Sequence, residues 1–313
     1  MPKRNLILIH RGPEYEKDFD EIATKVNQLD RSITVYHLPA GLDTELPIAA
    51  WQNPTLTVAL TSKFRIPIKR GPILKNFAIS KLAQQEIFRK NGIATPPATP
   101  FRFGMKLDPI VFGEFVILKP ADLRITSGGV GIHVFRRQRL EKTSEAYFPI
   151  THPIRFSRHE FMVQRFIHTG RHPVNYRATT FLGDVMTLEK FKGEAETPPL
   201  TAPDEAIEQA NFAPKTSWEY TLFDDQEMID FALRIACCFK TIPLLGIDII
   251  QSTSGKLYVL EVNAGGNTWH YSSKMWEDHR KENPDIYVRM KTQFGAFDIA
   301  AKRLTEVTQE LAS

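Results

Sequence analysis

LLGIDIIQSTSGKLYVLEVNAGGNTWH, residues 244–270, is the stretch whose reading decides the fold. Two apolar runs flank Ser252-Thr253-Ser254-Gly255, a turn composition, so the stretch reads as a β-hairpin. A four-residue loop at 253–256 sets residue 252 opposite residue 257, and Asp248 then falls opposite Glu261. Asn263, two residues beyond Glu261, points to the same face. Three oxygen donors thus converge on one side of the hairpin. Two facing carboxylates repel unless a cation lies between them. Hard oxygen donors without His or Cys suit Mg²⁺, which keeps waters and takes nucleotide phosphates as further ligands. The plainer alternative is a solvent-facing polar row, but the near-continuous apolar residues around it argue for burial.

Two other segments add phosphate chemistry. In VILKPADLRITSGGVGIHVF (116–135) a strand delivers Lys119 beside Pro120, and Ser127, Gly128, Gly129, Val130 and Gly131 form a glycine loop. Such a loop lets backbone N–H groups approach phosphate oxygens, and an upstream lysine adds a point charge; the segment alone reads equally as a flexible hairpin loop with a surface lysine. It matches neither the G-x-x-x-x-G-K-[ST] pattern nor G-x-G-x-x-G. In VNYRATTFLGDVMTLEKFK (174–192) a two-residue turn at Gly183-Asp184 would set Arg177 opposite Lys190. Like charges directly opposite are destabilising unless an anion such as phosphate or carboxylate satisfies both, the alternative being that either side chain snorkels to water.

The surroundings are those of a globular protein. The 313 residues are 42% hydrophobic and 24% charged, which excludes disorder, collagen and coiled coil as descriptions of the whole. No apolar run approaches the roughly 18–20 residues of a membrane span. Leu6 to Ile9, ended by His10 and Arg11, is too short for a signal peptide and reads as a first strand. Forty basic against 36 acidic residues, net +4, permit anionic substrates. No basic run interleaved with aromatics points to nucleic acid. Cys237 and Cys238 are adjacent, which disfavours a disulfide between them, and no C-x-x-C offers zinc; a reduced, cytoplasmic setting fits. Both cysteines are expected to pack in the core.

Along the chain, spacing predicts helices at 15–29, 79–91 and 224–240. It predicts strands at 5–10, 33–39, 55–62, within 115–135 and 160–192, and at 245–251 and 256–262, with a Pro-rich loop at 197–214. The β-α-β start reads as a small α/β lobe. His10 reads as a loop histidine with a backbone partner. Trp269 and His270 stand equally between packing and an acceptor pocket. Neutralising Glu261 is expected to relieve repulsion with Asp248.

These three segments, in this order, resemble the ATP-grasp superfamily, in its glutathione-synthetase-like and ribosomal-protein-glutamate-ligase-like branch. The resemblance covers roughly residues 75–270. It implies an α/β (α+β) fold with an N-terminal Rossmann-like pre-grasp lobe (1–78), a central lobe with the glycine loop (79–163) and a C-terminal lobe with metal and phosphate ligands (164–313). By resemblance, Lys81 and Lys119 bind nucleotide with Ser127–Gly131, and the hinge Gln164, Arg165, Phe166 and Ile167 holds adenine through backbone groups. Arg177 and Lys190 serve phosphate or acyl phosphate, and Asp248, Glu261 and Asn263 hold the metal. The family pattern after Asn263 is departed from, since Ala264–His270 replaces a small-small-Pro-Gly run. The implied activity is ATP-dependent ligation of a carboxylate to an amine with Mg²⁺, or Mn²⁺ in its place, on small-molecule or peptide substrates. No membrane or nucleic-acid partner is implied, and a homodimer is one open oligomeric state. The alternatives are an ATP-grasp kinase acting on a hydroxyl and a non-catalytic nucleotide-binding regulator.

Overall fold

The computed structural model describes residues 3–41, 46–65, 71–122, 131–156, 160–210, 218–264 and 268–312. The first strand, β1 (Arg4–His10), is the apolar run expected there, and α1 (Glu16–Leu29) follows it. With β2 (Ile33–Pro39), β3 (Thr55–Ala59) and β4 (Ile73–Lys75) it forms a parallel sheet in the order β2-β1-β3-β4. Phe19, Ile22 and Val26, at helical spacing on α1, lie against Leu6, Leu8 and Val58. Each such buried side chain contributes about 1.5–3 kcal/mol. Leu29, the last position of the expected stripe, is exposed.

Helix α2 (Lys81–Lys90) begins with Ser80 capping the Ala83 amide. Its buried positions are Gln84 and Phe88, one residue round from the apolar stripe that spacing predicts. A second sheet, antiparallel in the order β5-β8-β6-β7, contains β5 (Ala98–Pro100), β6 (Phe115–Pro120), β7 (His133–Arg136) and β8 (Phe161–Arg165). Two short helices, α3 (Pro109–Phe112) and α4 (Arg137–Lys142), flank it.

The third sheet is antiparallel, β11-β10-β9-β12-β13. Its strands are β9 (Val174–Phe181), β10 (Asp184–Gly193), β11 (Trp218–Leu222), β12 (Leu244–Gln251) and β13 (Leu257–Ala264). The Pro-rich stretch expected as loop contains α5 (Asp204–Gln209). Helix α6 (Gln226–Ala236), capped by Asp225, packs Met228, Phe231 and Ile235 on one face of this sheet, against Ala178, Leu188, Ile247 and Ile249. Cys237 just beyond it is exposed, against the core role expected of it, while Cys238 is half-buried and packs against this core. The chain ends in α7 (Glu277–Glu282), α8 (Ile286–Thr292) and α9 (Ala296–Leu311). Phe297, Ala300 and Leu304 of α9 join the core of the N-terminal sheet. No helix among the described residues is long and apolar enough to cross a membrane.

Candidate nucleotide and metal site

The face of the third sheet away from α6 carries a row of charges. Arg177 on β9 lies beside Asp248 on β12, and Asp248 lies opposite Glu261 on β13. The hairpin reaches that pairing by a route the sequence does not announce. Gln251 faces Leu257, so the loop is one residue longer than expected, and a bulge between Asp248 and Ile249 restores the register. The Arg177 guanidinium donates from Nε to Asp248 Oδ1 at 2.8 Å and from Nη2 to Oδ2 at 2.9 Å. Asn263 donates from Nδ2 to Asp248 Oδ2 at 2.9 Å and to Glu261 Oε1 at 3.4 Å. Gly246, two residues before Asp248, permits this. A Cβ there would sit 3.0 Å from the Thr268 methyl and 3.7 Å from Arg177 Cδ.

Two lysines approach from other elements. Gln84 on α2 donates to the Val262 carbonyl at 2.9 Å and accepts from the Val262 amide at 2.7 Å, tying the helix to the edge of β13. One turn earlier on the same helix, Lys81 lies 3.1 Å from Glu261 Oε2. Lys119, at the end of β6, is 7% exposed. Burial lowers its ammonium to about 8; Glu261 and Asp248 raise it and Lys81 lowers it further. Burial opposes the charge on Glu261, yet Lys81 and Lys119 hold that carboxyl below the ordinary glutamate range. Burial pushes the Asp248 carboxyl up, with the Arg177 fork pulling the other way. Glu261 is therefore held by cations rather than strained by its neighbour, which corrects the expectation that neutralising it brings relief.

Lys190 is not part of this row. The β9–β10 turn is Leu182-Gly183, with both residues at positive φ (48° and 97°), and a bulge lies between Val185 and Thr187. Turn and bulge together put Glu189 opposite Arg177 and Lys190 opposite Tyr176. One residue of slip moves a side chain to the other face. Lys190 therefore lies on the α6 side, its ammonium 5.9 Å from the centroids of the Tyr176 and Phe223 rings. In its place stands Glu189, fully buried, accepting from Tyr220 Oη at 3.1 Å and lying 3.1 Å from His270 Nδ1. The sequence reading missed both Glu189 and Gln84; the only local signal was a polar residue within an otherwise apolar helix or strand stripe.

Trp269 and His270 are both buried, so packing prevails over an exposed acceptor wall. Trp269 Nε1 donates to Asp18 Oδ2 at 2.7 Å. The His270 ring stacks on Trp276 with centroids 4.3 Å apart. His10 has the expected backbone partner, Gly12 O at 2.9 Å, and burial pushes its ring down to about 4, neutral at pH 7.

No protein-family model and no curated protein matches the sequence. Among solved structures, D-cycloserine synthetase DcsG is similar at 13% identity with a TM-score of 0.50, over 96% of this chain and 99% of that one. The chain has the ATP-grasp fold. Fainter likenesses are D-alanine–D-alanine ligase from Bacillus anthracis complexed with ATP (12% identity, TM-score 0.48, 99% of both chains) and macrocyclase MdnC from Microcystis aeruginosa bound with precursor peptide MdnA (10%, 0.49, 96% and 99%).

The segment expected as an adenine-holding hinge has backbone groups already engaged within the protein. The amides of Arg165 and Phe166 already bond Pro97 O (2.8 Å) and Phe115 O (3.0 Å), and Gln164 pairs with strands on both sides. Ser127, Gly128, Gly129 and Val130 lie outside the described residues. Gly131 has φ +75°, and a Cβ there would lie 3.4 Å from Pro120 Cγ and 3.5 Å from the Phe161 ring. The donor set of Asp248, Glu261 and Asn263 fits a hard divalent cation that takes waters and phosphates as its other ligands. Among the described residues no three His, Cys, Asp or Glu cluster in a way that could hold a metal by themselves.

Proposed function

We propose that the protein is an ATP- and Mg²⁺-dependent ligase that joins a carboxylate to an amine through an acyl phosphate, releasing ADP and phosphate. The observation that supports this best is the convergence of Lys81, Lys119, Arg177, Asp248, Glu261 and Asn263 from four strands and a helix of an ATP-grasp fold. A D-cycloserine synthetase with the same fold supports a joining reaction. Lys119 and Lys81 hold nucleotide phosphates as point charges, and Arg177 offers its planar fork to the phosphoryl group as it moves onto the substrate carboxylate. Asp248, Glu261 and Asn263 hold the Mg²⁺, which when bound offsets the charge of the β- and γ-phosphates. The amine then attacks the acyl carbon, the C–N bond forms and phosphate leaves. No protein nucleophile is needed. The acyl phosphate must be kept from water for the amine to compete for it. The substrates are small molecules or peptide ends, and the two free thiols suit a cytoplasmic setting.

The reading is tested by Mg²⁺-dependent phosphate release from ATP against pooled carboxylates, with and without amines. Release that requires both partners is expected. Release with one hydroxylated compound, which itself becomes phosphorylated, would make the protein a kinase. ATP binding with no release under any pool would favour a regulator, and failure to bind ATP would overturn the reading.

The Lys119 ammonium makes nucleotide binding pH-dependent. Its pKa of about 8 in the free protein means that binding a polyphosphate above that pH requires uptake of a proton. Affinity should fall by up to about tenfold per pH unit above pH 8. In Lys119→Arg, whose guanidinium stays charged, the fall should vanish. Binding isotherms between about pH 6.5 and 9.5 measure both. An identical slope in Lys119→Arg would remove Lys119 from the phosphate site.

A further inference from the structure

Every carboxylate oxygen expected to ligate a metal already has a protein donor. Asp248 Oδ1 and Oδ2 accept from the Arg177 fork at 2.8 and 2.9 Å, and Oδ2 also accepts from Asn263. Glu261 Oε2 lies 3.1 Å from the Lys81 ammonium, and Oε1 accepts from Asn263. Asn263 is turned the wrong way for a metal ligand. Two acceptor-only carboxylates beside it demand its NH₂, which directs its oxygen, the atom a cation would need, away from them. A divalent cation approaching this cluster meets two protein cations and two amide hydrogens. Arg177 and Asp248 are largely out of water, so screening is weak and the repulsion is felt at close range.

We propose that Arg177 and Lys81 are resident counter-ions of Asp248 and Glu261 in the nucleotide-free protein, and that a divalent cation enters only when a polyphosphate draws them away. This rests on the proposed nucleotide and metal site and adds an order to it. A triphosphate offers Arg177 a bidentate oxygen pair equivalent to the one it leaves on Asp248. Once the fork departs, Asp248 regains two free oxygens and Asn263 can turn its amide over. The exchange keeps the facing carboxylates neutralised at every stage, so the empty protein does not carry two unpaired buried charges. It also prevents the site from filling with free metal. By linkage, metal must tighten nucleotide binding by the same factor by which nucleotide tightens metal binding.

The test is direct Mn²⁺ binding, read by electron paramagnetic resonance on the full chain, with and without a non-hydrolysable ATP analogue. Wild type is expected to bind Mn²⁺ with the analogue and not without it. Arg177→Met is expected to bind Mn²⁺ alone, with an affinity gain of more than about tenfold over wild type. Arg177→Met with Asp248→Asn is expected to lose that gain. Arg177→Lys keeps a charge but not the fork, and should gain less than Arg177→Met; it and the wild-type arms carry the test should Arg177→Met fail to fold by circular dichroism. Wild type that binds Mn²⁺ equally well without the analogue would overturn the proposal. So would a folded Arg177→Met with no gain. Wild type that fails to bind the analogue would sink the ligase reading instead, and a gain in Arg177→Met would then still uphold Arg177 as the counter-ion.

Discussion

On the proposed reading, Glu261→Gln is expected to lower metal-dependent ATP turnover by about 10²–10³-fold, because a bound cation would contribute several kcal/mol to a phosphoryl transfer and the amide offers it no charge. The fold persists. The introduced amide is nearly isosteric with the carboxylate, and its oxygen can still accept from Lys81, which lies 3.1 Å from Glu261 in the native chain. Stability nevertheless drops by about 1–2 kcal/mol, since the Lys81 ammonium loses its opposite charge and keeps only a neutral acceptor. The sign follows from the lowered pKa of Glu261. A carboxylate held below its unfolded value stabilises the fold above the ordinary glutamate range, and that contribution fades as pH falls through the folded value. The variant should therefore lose part of the acid dependence of thermal unfolding. Turnover measured against Mg²⁺ concentration, beside melts at neutral and acid pH, reads both effects. Wild-type turnover in folded Glu261→Gln would remove Glu261 from the metal site.

Asp18→Ala should destabilise the protein by about 3–5 kcal/mol. This carboxylate is 1% exposed and accepts three hydrogen bonds: from Trp269 Nε1 at 2.7 Å, Ser272 Oγ at 2.6 Å and Tyr287 Oη at 2.8 Å. Alanine leaves the donors without an acceptor, and each one kept from water costs about 1–3 kcal/mol. The donors come from the chain that follows β13 and from α8, so Asp18 on α1 pins Trp269 and Ser272, beyond β13, to the N-terminal sheet and its helix. Melting should fall by roughly 5–15 °C. Trp269→Phe removes one donor and leaves the other two bonded, so its loss should be less than half as large. A melting point within about a degree of wild type in Asp18→Ala would show that this latch contributes nothing.

The candidate site was legible in the sequence where its geometry is local. Asp248 and Glu261 are joined by a short hairpin, and the alternation of side chains along two strands was enough to set them face to face. Even there, loop length and bulge were each misjudged by one residue and the errors cancelled. In the β9–β10 hairpin they did not cancel. A turn with the non-glycine Leu182 at positive φ and a bulge near Met186 leave no composition signal, so Arg177 met Glu189 and Lys190 went to the opposite face.

The sequence by itself determined most of the element types, the α/β start and the hairpin that sets Asp248 opposite Glu261. These follow from periodicity, turn chemistry and motif order, which act over a few residues. Tertiary structure alone decided the rest. Gln84 bonds Val262 across 178 positions and so places Lys81 on Glu261, and Trp269 bonds Asp18 across 251. It also decided that Asp248 and Glu261 are neutralised by Arg177 and Lys81 rather than left in mutual repulsion. Charge in a buried cluster depends on every group within a few ångströms, and chain order does not reveal which groups those are.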